Sequence, residues 1–156
     1  MYPVEIYTDG SKDGGKVGAG VAIYLNKQLV RQGKYKLQSC CSNNQAEQIA
    51  ILKALEQLLK VDDPTDRIVS IFTDSKVSLH SLKNYSMRRF LIEEIRNKVR
   101  HLSMLNWTIH FGWVKAHIWI EGNEAAYRLA KEAAHDKNDQ NSIWQGSSNN
   151  CGHRNE

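Results

Sequence analysis

Cysteine is scarce and badly placed for bracing a fold: Cys40 and Cys41 are adjacent and Cys151 stands in a polar stretch, so neither a disulfide framework nor a zinc site is expected. Proline occurs only twice, and no run approaches the ~20 consecutive apolar residues that a membrane-spanning helix needs. The first ten residues, MYPVEIYTDG, hold no basic segment leading into an apolar one. Secretion is therefore not expected, and a reducing intracellular setting, cytoplasmic or nuclear, suits the free thiols. A strong excess of one charge is missing too, since 21 Lys and Arg against 17 Asp and Glu leave a net charge of +4. That balance favours a polyanionic partner only mildly, so local chemistry has to carry any functional reading. What is present is the material of one soluble globular domain: 156 residues, 41% hydrophobic and 24% charged. A chain of that length buries roughly 70% of its unfolded surface.

Periodicity divides the chain. Val4, Ile6 and Thr8 alternate with Glu5 and Tyr7, the period-two pattern of a strand ending at Asp9. Turn residues from Asp9 to Lys16 precede GAGVAIYL, and Asn26-Lys27 separates that run from QLVRQGKYKL, which together read as a three-strand antiparallel meander. From Asn43 the apolar spacing becomes three and four, predicting a helix capped by Ser42 or Asn43 with Glu47 in its first turn. Pro64 breaks it, and RIVSIFT (67–73) reads as a strand covered on both faces, ending at Asp74. A short helix over Ser75–Leu82 and a longer one with an Ile92, Ile95, Val99, Leu102 stripe and a basic outer side follow. The strand WTIHFGWV (107–114) is expected to turn Trp107 and Trp113 into the core, and a last helix runs from about Asn123 to Ala134. Residues 137–156 are rich in Asn, Gln, Ser and Gly and read as a disordered tail or linker outside a domain of residues 1–136. The order β-β-β-α-β-α-α-β-α makes an α/β domain with hairpins and parallel crossovers.

Three acids fall at element ends, Asp9, Glu47 and Asp74. Singly, each is an ordinary Asx-turn, N-cap or helix-start residue. Clustered, they would repel one another, and a hard divalent cation such as Mg²⁺ or Mn²⁺ would neutralise them. The motifs YTDGS, SNNQAE, IFTDS and WVKAHIWIEGNEAAYRLAKEA appear in that order. In these motifs the chain resembles a type 1 ribonuclease H domain, most nearly those of non-LTR retrotransposons, over about residues 4–134.

The resemblance implies a ribonuclease H-like fold, a five-stranded mixed sheet flanked by helices, and hydrolysis of the RNA strand of RNA/DNA hybrids. It implies two Mg²⁺ ions, with Mn²⁺ as a possible substitute, held by Asp9, Glu47, Asp74 and a fourth acid; one ion activates water and the other stabilises the leaving 3′ oxygen. Asn43, Asn44 and Gln45 match the stretch that senses ribose 2′-hydroxyls, for which amides suit because they both donate and accept. His117 matches the loop histidine that handles protons near the attacking water. A monomer, no membrane partner, and descent from a larger retroelement polyprotein complete the expectation.

Two positions depart from the family pattern. Where it has the fourth acid this chain has Tyr127, whose neutral phenol is no substitute for a carboxylate on Mg²⁺; Glu124, one turn earlier on the same helical face, is a candidate to reach a metal in its place. Where it has glycine after His-x, the chain has Trp119. Impaired cleavage is expected, the alternative being an inactive module of the same fold that still binds hybrid or duplex nucleic acid.

Overall fold

A computed structural model describes residues 4–61, 66–84, 89–115 and 120–137. The meander is β1 (Val4–Asp13), β2 (Lys16–Leu25) and β3 (Gln28–Leu37), followed by α1 (Asn43–Leu58), β4 (Ile68–Thr73), α2 (Lys76–Lys83), α3 (Phe90–Met104), β5 (Thr108–Trp113) and α4 (Glu121–Ala134). The five strands form one sheet in the order β3-β2-β1-β4-β5, antiparallel through the meander and parallel from β1 to β4 to β5. This is the five-stranded mixed sheet with flanking helices that the sequence motifs imply. Pro64 and the tail beyond residue 137 lie outside the described residues.

Local chemistry explains the corners. Asn26 and Lys27 both adopt positive φ, 51° and 63°, between the paired residues Leu25 and Gln28, which is the mirror-image turn that matches strand twist. Ser42 caps α1 in a closed box: its Oγ accepts from the Gln45 N–H at 3.1 Å, and its own N–H donates to Gln45 Oε1 at 2.7 Å. At the end of α3, Asn106 takes φ 68°, its N–H bonding the Ser103 carbonyl while the Trp107 N–H bonds that of Leu102. This Schellman closure folds the chain back sharply and sets Trp107 into the core, as expected of it.

The main core lies on one face of the sheet. Val4 and Ile6 of β1, Ala19, Val21 and Ile23 of β2, and Val69 and Ile71 of β4 pack under α1, with α3 outside it. Because α1 is enclosed by sheet and helix, its residues from Ala46 to Leu55 are buried without a break. The opposite face is covered by α4 over β1, β2 and β3. Two expectations are corrected here. First, β4 is buried only on alternate residues, Val69, Ile71 and Thr73, because α4 reaches the meander and not the second face of β4. Second, β1 does not stop at Asp9: its parallel pairing with β4 ends at Thr8, while antiparallel pairing with β2 continues to Asp13.

Backbone-to-backbone packing holds α4 against β2. A Cβ placed on Gly20 would come within 2.2 Å of the Ala126 carbonyl oxygen and 2.6 Å of the Ala130 nitrogen. The two nearest neighbours are helix backbone, so Gly20→Ala has to push the helix away. We expect it to cost about 1–3 kcal/mol, read by urea denaturation. By contrast, Gly15→Ala, whose Cβ meets only Ser39 Cβ at 3.8 Å, should stay within about 0.5 kcal/mol of the parent. Equal stability of the two variants would show that this contact is not tight.

Candidate active site

The acids meet where the parallel pairing ends. Asp9 is the residue of β1 just past its last partner on β4, and Asp74 directly follows β4, so the two carboxylates leave adjacent strand ends. Glu47 reaches them from α1, and Gly10 is what lets it: a Cβ there would lie 2.7 Å from the Glu47 nitrogen and 2.8 Å from the Ala46 carbonyl carbon. Glu47 is the fifth residue of α1 and opens its second turn; the first turn, expected to hold it, has no acid.

One carboxylate oxygen from each of Asp9, Glu47 and Asp74 lies within 4.8 Å of the others. Asp9 is 4% exposed and Glu47 5%. Asp9 Oδ1 accepts the Gly10 N–H at 2.8 Å, whereas Glu47 Oε2 is fully buried and has no hydrogen-bond partner. An orphaned buried carboxylate oxygen is costly, and the residue that carries it belongs to a cluster with two further acids. Burial first, then the neighbouring Asp9 and Asp74 carboxylates, push the Glu47 carboxyl up to about 10. Three hard oxygen donors, one of them unsatisfied, fit a divalent cation, and the described residues hold no other such trio.

A cleft of about 570 Å³ opens over Glu47 and Asp74. It is also lined by Asn43 and Asn44 of α1, by Ser75, Lys76 and Val77 at the start of α2, and by Trp113 and Lys115 at the end of β5. Of the residues expected to contact substrate, Asn43 and Asn44 line this cleft, whereas Gln45 has its side chain turned back into the cap of α1. Glu124 is exposed and outside the acid trio. Tyr127, 40% exposed, sits in the turn of α4 that packs on Gly20, the cross-strand partner of Asp9, with the Lys131 ammonium over its ring. His117 and Trp119 lie outside the described residues. Trp113, expected in the core, is 44% exposed. It lies one step along β5 beyond Phe111, the last residue of that face packed on the core. Sequence reasoning missed Lys76 and Lys115, since lysines at element ends read as solvated surface.

The fold and the trio define a class: an α/β domain with a carboxylate site at the ends of its central parallel strands. A sequence model of the family described as RNase H matches residues 2–135. The ribonuclease H of Tropheryma whipplei is 33% identical over 139 residues, 81% of each chain, and that of Campylobacter jejuni 28% identical over 142 residues, 86% of this chain and 92% of its own. The chain belongs to the ribonuclease H family. Among solved structures, the LC11 ribonuclease H1, isolated from compost and crystallised with an RNA/DNA hybrid, matches with a TM-score of 0.64 at 26% identity, over 84% of this chain and 96% of its own. Ribonuclease H1 of Halobacterium salinarum, 23% identical, shares the fold with a TM-score of 0.65 over 84% and 96%.

The raised Glu47 carboxyl has a stability consequence. Between its unfolded value of 4.5 and its folded value of about 10, the cation-free native state holds a proton that the unfolded chain has released. Stability therefore falls as pH rises through that window, by no more than about 1.4 kcal/mol per pH unit for one proton. In chelator, Glu47→Gln should be stabilised over the parent by a margin that grows from pH 5 to pH 9, read by urea denaturation. Parallel pH profiles for the two proteins would refute the buried-proton account.

Proposed function

We propose that this domain hydrolyses the RNA strand of RNA/DNA hybrids using divalent cations held by Asp9, Glu47 and Asp74, with cleavage weakened by Tyr127. The observation that carries this reading is the convergence of the Asp9, Glu47 and Asp74 carboxylates, with one buried Glu47 oxygen left without a hydrogen-bond partner. Membership of the ribonuclease H family supports it, as does the likeness to a relative crystallised with a hybrid. Bound divalent ions, Mg²⁺ or in its place Mn²⁺, supply activation of the attacking water and neutralisation of charge on the phosphate.

The chain's own residues do the rest. Asp9, Glu47 and Asp74 provide fixed anionic oxygens. Asn43 and Asn44, which line the same cleft as Lys76, present amides to the 2′-hydroxyls that distinguish RNA from DNA. His117 serves as the proton-handling group. Tyr127 supplies no anionic ligand at the height of Asp9, and Glu124 does not join the trio. The second reading, a hybrid-binding module without activity, rests on that same tyrosine. The motif resemblance supports descent from a retroelement polyprotein, and the domain acts as a monomer.

Single-turnover cleavage of a labelled hybrid tests this. In Mg²⁺ the parent should cleave feebly, Tyr127→Asp roughly 100-fold faster, and Asp9→Asn not at all, with Mn²⁺ recovering part of the parent's deficit. A parent as fast as Tyr127→Asp would remove the inactive-module reading and show the fourth carboxylate to be dispensable. Separately, Asn44→Ala should lower the ratio of hybrid to DNA-duplex affinity severalfold in a filter-binding comparison; an unchanged ratio would rule out its 2′-hydroxyl role.

A further inference from the structure

Trp113 is a large apolar side chain left 44% exposed at the end of β5, at the edge of the sheet. Two contacts occupy it. Its indole N–H donates to the Asp74 backbone carbonyl at 3.2 Å, and the Lys76 ammonium lies 4.3 Å from the ring centroid. One side chain thus touches the peptide of a trio acid and the cation two residues on, both on the same cleft.

Lys76 needs such a hold. It is the first residue of α2, at the positive end of the helix dipole, where a cation is disfavoured. Among the described residues it forms no ion pair, and the indole face lies against it. A contact on one side of an ammonium leaves its other hydrogens directed away from the ring, available to a phosphate oxygen. Asp74, for its part, follows the last residue of β4, where sheet pairing ceases. The Val114 N–H to Thr73 carbonyl bond at 3.0 Å and the indole bond to Asp74 extend the β4–β5 connection past the sheet.

We propose that Trp113 is a positioning residue for two neighbours: through its N–H it fixes the peptide carrying Asp74, and through its ring it fixes Lys76 as a contact for a backbone phosphate of the strand lying in the cleft. The spacing between the cation-binding acid and the phosphate-binding lysine is then set by a single rigid side chain. The phosphate part rests on the hybrid-binding reading above, whereas the Asp74 part does not.

Three variants separate the two contacts: Trp113→Phe removes the N–H and keeps a ring, Lys76→Met removes the charge, and Trp113→Leu removes both holds. Mn²⁺ binding by calorimetry reads the first contact, and the salt dependence of hybrid binding reads the second. Trp113→Phe should weaken Mn²⁺ binding roughly tenfold and leave the salt slope as in the parent. Lys76→Met should reduce the log–log slope by roughly 0.7–0.9, one phosphate contact, without weakening Mn²⁺. Trp113→Leu should show both losses, and Lys76→Arg should restore the slope. Unchanged melting temperatures keep these effects apart from unfolding, and Lys34→Met, on the opposite edge strand, controls for general charge. A Trp113→Phe protein with the parent's Mn²⁺ affinity, or a Trp113→Leu protein with the parent's slope, overturns the proposal while hybrid binding by the parent stands. A parent that binds neither Mn²⁺ nor hybrid overturns the functional reading and this inference with it.

Discussion

Three carboxylates sharing a space less than 5 Å across are the constraint around which the rest of this domain is arranged. Carboxylates this close repel one another unless one of them holds a proton, as Glu47 does, or a cation lies among them, and a chain free to relax would separate them. Here none of them can move far. Asp9 is held by antiparallel pairing that runs on past it, Asp74 is tied through its peptide to Trp113, and Glu47 is carried by a helix packed on all sides. The small residues serve the same end: Gly10 lets α1 come down on β1, and Gly20 lets α4 come up under β2. Most of the fold's rigid features are, in this light, what keeps a repulsive cluster assembled until something positive enters it.

Much of this was legible in the sequence because it rests on local signals. Strand alternation, the change to helical spacing after Ser42, and turn residues at Asn26-Lys27 located every element, and the motifs around Asp9, Glu47 and Asp74 named the acids that meet. The errors share a cause, which is that coverage by another element is not written in the segment covered. RIVSIFT looks buried on both faces, yet α4 stops at the meander. Trp113 looks like core beside Phe111, yet the cover over its ring is the Lys76 ammonium and 44% of it stays exposed.

The tyrosine departure is instructive for a different reason. Tyr127 lies on the solvent side of α4, whose packing is carried by Ala126, Leu129, Ala130 and Ala133 and by the glycines beneath. The residue can therefore vary with little effect on how the helix docks. Fold and chemistry are separable along this helix in a way they are not along α1, where Glu47 lies among buried neighbours.

The long connections between the three acids have a kinetic meaning. β1, α1 and β4 are brought together by a parallel crossover, while the meander closes through short hairpins. Contacts between near neighbours in sequence form early, and those across long loops form late. The trio is complete only when β4 has docked beside β1 under α1, so a cation bound there stabilises the finished domain and not the early nucleus. Such an ion slows unfolding while leaving the folding rate unchanged. In a cell, its effect would be a longer lifetime for molecules already folded, and through it a larger folded fraction, without any faster folding.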